Sequence, residues 1–217
     1  LSLLCFGVSP SVEEVFTDGI SNITKEDFDW AKRLNKTIKL VAQIDNSIDG
    51  FNARVYPVLV DSKHPLAAIR GALNAVLVEG ENINQLVFSG PGAGSAPTAS
   101  AIIGDVFSAC HQMLSSQTNW YPLRTPKSGD KEFKDVQSSW FIRLSVKDEP
   151  GVLATIAGLF GQNNVSIESV IQEGRGDNAE LVLVTHEAEE NNLTSSIESI
   201  SKLSSVSSVT STIRVYI

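Results

Sequence analysis

The sequence predicts an α+β protein in two parts, a mixed-sheet region followed by a compact βαββαβ unit. Three observations support this fold class. Apolar residues alternate along predicted strands, they recur at helical spacing between those strands, and a polar stretch with Pro and Gly separates the two parts. The chain has 217 residues, 42% of them hydrophobic, which is enough to bury a core in each part.

The first region begins with apolar residues 1–6, which we interpret as the end of a helix. Thr24 followed by Asp27 is typical of a capped helix start, and the next apolar residues fall on one helical face. Alternation then predicts strands over 38–44 and 51–60, separated by a turn. Two further apolar runs, 75–78 and 83–88, flank Glu79-Gly80-Glu81-Asn82 and predict a hairpin.

A glycine-rich run follows the hairpin and leads into a long helix. Gly90, Gly92 and Gly94 follow an apolar strand, and glycine lets another chemical group approach the bare backbone. The run misses the dinucleotide motif G-x-G-x-x-G, because Ser95 stands where the last glycine would be. Two readings stay open here, a turn that needs glycine for its shape and a turn that holds a ligand.

Apolar residues recur at helical spacing after this turn, so we expect a buried stripe there, with Met113 in the core. Residues 115–138 then lose this periodicity and carry Pro122, Pro126 and Gly129, so we interpret them as a linker or mobile loop. The first domain accordingly covers residues 1–114 and the second covers residues 139–217.

The second domain reads as strand, helix, two strands, helix and strand. Alternation over 140–146 marks the first strand, and Asp148-Glu149-Pro150-Gly151 opens the first helix with acidic residues and proline. Strands are predicted over 165–171, 181–185 and 209–217, and a helix with apolar positions from Leu193 to Leu203 precedes the last of them.

Composition excludes several classes of function. The net charge of −8, with no cluster of Lys and Arg, argues against a nucleic-acid partner. No apolar run is long enough for a transmembrane helix, and the three histidines lack partners at metal-ligand spacing, so we expect no membrane span and no metal. Cys5 and Cys110 lie in apolar patterns, which predicts buried free thiols in a reducing compartment such as the cytoplasm.

The first region resembles homoserine dehydrogenase in a series of segments that follow one another in order. Matching segments are Gly19-Ile20-Ser21-Asn22-Ile23, Thr37-Ile38-Lys39-Leu40-Val41-Ala42, His64-Pro65-Leu66-Ala67, Gly71-Ala72-Leu73-Asn74-Ala75-Val76, and Gly90 to Gly94 with Pro97-Thr98-Ala99-Ser100-Ala101. The resemblance implies a parent enzyme that interconverts L-homoserine and L-aspartate 4-semialdehyde with NADP or NAD. It also implies a homodimer, and it makes Gly90, Gly92 and Gly94 cofactor-binding residues.

In that family a nucleotide-binding domain and a catalytic lysine precede the segment that Leu1-Ser2-Leu3-Leu4-Cys5-Phe6-Gly7 resembles. The resemblance therefore implies that no catalytic residue lies within this chain. We accordingly expect a C-terminal portion of the enzyme that is inactive by itself. The choice between NAD and NADP would be made outside this chain.

The second domain resembles an ACT regulatory domain, a ferredoxin-like βαββαβ module. Two segments carry the resemblance, Asp148-Glu149-Pro150-Gly151-Val152-Leu153 and Asn164-Val165-Ser166-Ile167-Glu168. The resemblance implies an effector site for a small amino acid, with threonine expected, formed by Asp148, Glu149, Gly151, Val152, Leu153 and Ser166. An ACT domain that serves dimerisation alone stays open.

Two functions of different class follow from these resemblances. The first is part of a homoserine dehydrogenase in threonine, methionine and isoleucine biosynthesis, with threonine feedback through the ACT domain. The alternative is a stand-alone amino-acid-sensing module that regulates a partner without catalysis. The coding sequence before Leu1 would distinguish them.

Overall fold

The computed structural model describes residues 1–47, 50–115, 132–174, 176 and 179–216. Its first region begins with helix α1 (Ser2–Phe6) and a short strand β1 (Phe16–Thr17). Helix α2 (Lys25–Arg33) and the long strands β2 (Lys36–Ser47) and β3 (Gly50–Asp61) follow. Strands β4 (Leu73–Gly80) and β5 (Asn84–Pro91) and helix α3 (Ser95–Ser115) complete this part.

The predicted capping pattern forms the start of α2. The Thr24 backbone N–H donates to Asp27 Oδ2 at 2.7 Å, and the Thr24 hydroxyl lies 3.0 Å from the same oxygen. These bonds satisfy polar groups that a helix N-terminus otherwise leaves unpaired. The helix stops before Asn35, whose φ of 56° turns the chain directly into β2.

The hairpin that the sequence predicts is formed by β4 and β5, and it is a two-stranded sheet of its own. The apolar stripe of α3 differs from the prediction, because every residue of this helix is exposed. Met113 is 82% exposed and does not lie in a core, and Cys5 and Cys110 are exposed free thiols. The periodicity correctly marks one apolar face, but no described element of the single chain packs on it.

The second region contains β6 (Gln137–Val146), α4 (Val152–Gln162), β7 (Ile167–Glu173) and β8 (Ala179–Thr185). It ends with the two-residue β9 (Ala188–Glu189), α5 (Glu190–Ser201) and β10 (Val206–Val215). Helices α4 and α5 cover one face of the sheet. The core between them contains the following fully buried side chains: Ile142, Leu144, Ile156, Phe160, Leu183, Leu193 and Ile200.

Among the described residues, the two regions share one mixed sheet of eight strands. The strand order is β1-β3-β10-β6-β8-β7, with β2 added to β3 and β9 added to β6. Strand β10, the last of the chain, pairs in parallel with β3, so that Arg214 lies opposite Val58 and Val215 opposite Leu59. The structure therefore joins the two predicted parts by backbone hydrogen bonds.

Residues 116–131 of the predicted linker lie outside the described residues. The chain is described again from residue 132, where a short 3-10 turn over Phe133–Asp135 leads into β6. Strand β6 begins at Gln137, somewhat before the predicted domain start at residue 139.

Candidate functional site

The glycine turn connects the end of β5 to the start of α3. Gly90 is the part of the turn that is still paired between β5 and β4, where it lies opposite Asn74. Gly94 directly precedes the first residue of α3. The Gly92 N–H donates to the Ala72 carbonyl at 3.0 Å, which holds the turn against the other strand of the hairpin. Residues 91–95 are exposed, so their backbone is open to a ligand.

The three glycines are needed for different reasons. Gly94 has a φ of +127°, which side-chain-bearing residues rarely adopt. Gly92 does not have a positive φ, but a Cβ atom there would overlap the Asn74 side chain. Gly90 has open space where its Cβ would lie. The backbone conformation therefore demands glycine at Gly94, and close approach favours it at Gly92.

Asn74 also lines a cleft of about 990 Å³ between β2 and the hairpin strand β4. Inside it, Arg54 pairs with Asp45 at 2.5 Å and donates to Asn52 at 2.9 Å and to the Tyr56 hydroxyl at 2.6 Å. Arg54 is only 5% exposed, so these partners compensate for the loss of water around its charge.

Tyr216 lies at the same cleft and links the large sheet to the hairpin. Its hydroxyl donates to Glu79 Oε2 of β4 at 3.4 Å, and its backbone N–H donates to the Leu59 carbonyl of β3. Burial, together with the nearby Glu79 carboxylate, raises the pKa of Tyr216 to about 12.

The second candidate site is the turn between β6 and α4. The Asp148 N–H donates to the Gly176 carbonyl at 2.8 Å, and Asp148 Oδ1 accepts from Gln172 Nε2 at 2.9 Å. Lys147 N–H donates to the Ser205 carbonyl at 2.9 Å. The turn is thus held by β7, by the loop after β7 and by the segment before β10. Gln172 was not predicted as a site residue, because only the fold brings it to Asp148.

Gly151 ends this turn and precedes α4 with a φ of +92°, a conformation that favours glycine. Asp148 and Glu149 are exposed, and Leu153 is 40% exposed. Val152 is instead buried, and its side chain belongs to the hydrophobic core beneath α4. The Val152 N–H donates to the Glu149 carbonyl at 3.3 Å, and the amides that follow it at the start of α4 are those from which a ligand carboxylate could accept hydrogen bonds.

Ser166 lies away from this turn. It precedes β7, and its carbonyl accepts from the His186 N–H at 2.9 Å, whereas Gln172 lies near the other end of the same strand. A strand rises about 3.3 Å per residue, which puts roughly 20 Å between Ser166 and Gln172, the β7 residue that contacts Asp148. The structure therefore brings Asp148, Glu149, Gly151, Val152 and Leu153 together but places Ser166 elsewhere.

Within the described part of the chain, no group of three or more His, Cys, Asp or Glu residues is arranged to hold a metal ion. None of the described helices combines the length and the apolar character that crossing a membrane requires.

Two family models match the chain. Residues 1–107 match "Homoserine dehydrogenase", and residues 140–205 match "ACT domain". The two matches follow one another along the chain and fall on the two regions of the fold.

Curated relatives and solved structures agree with these matches. Homoserine dehydrogenase from Mycobacterium tuberculosis is 36% identical and the enzyme from Bacillus subtilis is 34% identical, each over 99% of this chain and 51% of the relative. The crystal structure of a homoserine dehydrogenase from Thiobacillus denitrificans has a TM-score of 0.88 at 29% identity, over 99% of this chain and 50% of that one. The S. aureus enzyme has a TM-score of 0.69 at 25% identity. This chain spans about half the length of the curated relatives it matches.

Proposed function

We propose that this chain, which carries a homoserine dehydrogenase domain followed by an ACT domain, serves in the NAD(P)-dependent interconversion of L-homoserine and L-aspartate 4-semialdehyde. The observation that carries this proposal is the ordered match over 99% of the chain to enzymes of that name. The activity is proposed for the complete enzyme, which in the relatives is about twice as long as this chain.

The glycine turn is proposed to lie against the nicotinamide cofactor, which supplies or accepts the hydride. The turn fits this role because its backbone is exposed, Gly90 has open space at its Cβ position, and Gly94 takes a φ that glycine favours. Backbone N–H groups and the start of α3 would hold the polar parts of the cofactor.

Gly92→Val in the complete enzyme tests this role. We expect a KM for the cofactor at least tenfold higher, or loss of activity, with the fold retained, because a Cβ at Gly92 overlaps the Asn74 side chain and would shift the turn that the cofactor is proposed to contact. Gly104→Val in α3 is the control, because a Cβ there meets no atom within 4 Å. A folded Gly92→Val enzyme with unchanged kinetics would show that the turn is structural only.

The ACT domain is proposed to bind a small amino acid, with threonine as the first candidate. Asp148 would hold the ammonium group and the first amides of α4 the carboxylate, since Asp148 lies only four residues before Val152, where α4 begins. Feedback on the enzyme would require that bound threonine favour one arrangement of the protein over another.

Calorimetry of the 217-residue chain with threonine tests this site. We expect binding that Asp148→Ala weakens at least tenfold and that Glu198→Ala, a change of an exposed carboxylate on α5, leaves unchanged. Absence of binding at millimolar threonine, together with absence of inhibition in the complete enzyme, would leave the ACT domain a role in dimerisation alone.

A homodimer in the cytoplasm completes the proposal. Its support is the apolar face that β5 and α3 expose in the single chain, with Phe88 61% and Phe107 72% exposed. The alternative, a stand-alone amino-acid-sensing module, predicts a native protein that begins near Leu1. The intact mass of the protein from its natural source separates the two: a mass near twice that of this chain supports the enzyme.

A further inference from the structure

Helix α2, which belongs to the dehydrogenase domain in sequence, covers the face of the ACT sheet opposite α4 and α5. Trp30 and Ala31 of α2 are 3% and 1% exposed. They pack in one cluster with side chains from β6, β8 and β10, namely Phe141, Val182, Val184 and Ile213. Without α2, this apolar face of the ACT sheet would lie in water.

A buried charged cluster fixes α2 on this face. Arg143 of β6 donates from Nε to Asp27 Oδ1 at 3.1 Å and from Nη2 to the Thr24 hydroxyl at 2.9 Å. It also donates from Nη1 to Glu180 Oε1 of β8 at 2.7 Å. Asp27 is fully buried and Arg143 is 5% exposed, so neither charge finds water if the other moves away.

Three neighbouring strands of the ACT sheet therefore hold the same helix. Arg143 does so from β6, and Glu180 of β8 accepts from Trp30 Nε1 at 2.7 Å. Glu173 of β7 pairs with both terminal nitrogens of Arg33, one of them at 2.9 Å.

Strand β7 also contacts the proposed effector turn. Gln172 donates to Asp148, while the next residue, Glu173, pairs with Arg33 of α2. Successive side chains of a strand point to opposite faces of the sheet. The Asp148 turn and helix α2 therefore contact opposite faces of the same strand, β7. Helix α2 continues after two residues into β2, which lines the cleft beside the hairpin that ends in the glycine turn.

We propose that α2 and the ACT domain form one cooperative unit, and that α2 is the element through which a ligand at the Asp148 turn acts on the dehydrogenase domain. The second half rests on the proposed effector binding, whereas the first half does not. Arg143 is then a positioning residue, because its side chain bonds Asp27, Thr24 and Glu180 and so holds α2 on the sheet.

Hydrogen exchange of the full 217-residue chain tests the cooperative unit without any ligand. Gly151→Ala introduces a side chain at a φ of +92°, and Gly158→Ala is the matched control in α4, where a Cβ meets no atom within 4 Å. The strained Gly151→Ala turn should speed exchange in β6 and β8 about fivefold. We expect the same fold-change in α2, whereas Gly158→Ala, which replaces a glycine inside a helix by a better helix former, should speed exchange in neither place. Faster exchange in the ACT strands with an unchanged α2 would overturn the proposal.

A substitution in α2 tests whether the effect also passes from α2 to the ACT strands, because coupling between two parts of a molecule acts equally in both directions. Asp27→Asn in α2 should speed exchange in β6 and β8 by the same factor as in α2, and an effect confined to α2 would contradict the cooperative unit.

Hydrogen exchange with threonine added tests the two halves of the proposal separately. Binding that slows exchange in α2 supports the route to the dehydrogenase domain. Binding that leaves α2 unchanged contradicts that route but leaves the proposed effector site intact. If threonine gives no binding heat, the effector proposal fails, the route through α2 fails with it, and the exchange of the variants alone decides the cooperative unit.

Discussion

The guanidinium of Arg143 lies where α2 meets the ACT sheet, and its removal would leave Asp27 as a buried, unpaired carboxylate. Breaking a buried pair by removing one partner typically costs about 3–5 kcal/mol. We therefore expect Arg143→Met to lower the free energy of unfolding by roughly that amount in urea denaturation.

Arg33→Gln is the control for this prediction. Arg33 and Glu173 form an ion pair in which both side chains are about half exposed, and such surface pairs contribute about 0–1 kcal/mol. Equal effects of the two substitutions would show that burial of the Arg143 pair has no energetic weight.

Tyr216 gives a prediction for alkaline pH. Its pKa is raised in the folded protein to about 12 from the usual tyrosine value of 10.0, chiefly by burial. The folded state therefore favours the neutral phenol, and the stability that Tyr216 contributes is fully present below pH 10 and is lost as the pH rises toward 12. Titration of phenolate absorbance should show one group fewer near pH 12 in Tyr216→Phe. A Tyr216 that ionises near pH 10 in the folded chain would contradict the described burial.

At the scale of elements, α2 depends on one hydroxyl for two purposes. Thr24 caps the helix with Asp27 and also accepts a hydrogen bond from Arg143. Loss of an N-cap costs about 1 kcal/mol, and loss of a bond to a charged group costs about 1.5–3 kcal/mol. Thr24→Ala should accordingly lower the free energy of unfolding by about 2 kcal/mol or more.

Thr155→Ala is the matched control, because the Thr155 hydroxyl donates only to the Gly151 carbonyl on an exposed helix surface. We expect a change below about 0.5 kcal/mol there. A thermal or chemical denaturation that finds Thr24→Ala no worse than Thr155→Ala would contradict the double role of Thr24.

Most elements could be predicted because each carries its own local signal. The capping pair Thr24 and Asp27 marks a helix start, and the alternation in β2, β3 and β6 marks strands. Periodicity reports which face of an element is apolar but not what covers that face. It therefore predicted the stripe of α3 correctly and its burial wrongly, and it gave no sign that β3 pairs with β10 at the far end of the chain.

The candidate site residues also divide into those that the sequence could identify and those that depend on the fold. Gly94 could be identified from the glycine-rich run and Gly151 from the resemblance to an ACT domain, and both have a positive φ, which favours glycine. Gln172 could not, since its bond to Asp148 exists only when β7 lies beside the turn. Ser166 was placed in the effector site by resemblance to a motif, and the fold puts it near the other end of β7.

At the scale of the whole molecule, the apolar side chains are distributed unevenly. The large sheet is covered by α4 and α5 on one face of its ACT part and by α2 on the other. The hairpin and α3 instead expose Val87, Phe88, Val106 and Phe107, each more than 40% accessible. Several large apolar side chains exposed on two consecutive elements are typical of a surface that another protein segment covers.

The proposed homodimer through the first region predicts twofold self-association that depends on this surface, since closed two-fold pairs are the commonest oligomers. Light scattering of the 217-residue chain at micromolar concentration should give twice the chain mass, and Phe88→Lys should reduce it to the monomer while circular dichroism stays unchanged. Val170→Lys is the control, because Val170 is 38% exposed on β7, the outer strand of the ACT sheet. Dissociation by Val170→Lys instead of Phe88→Lys would place the dimer contact on the ACT domain. A monomer before any substitution would contradict self-association of this chain by either surface.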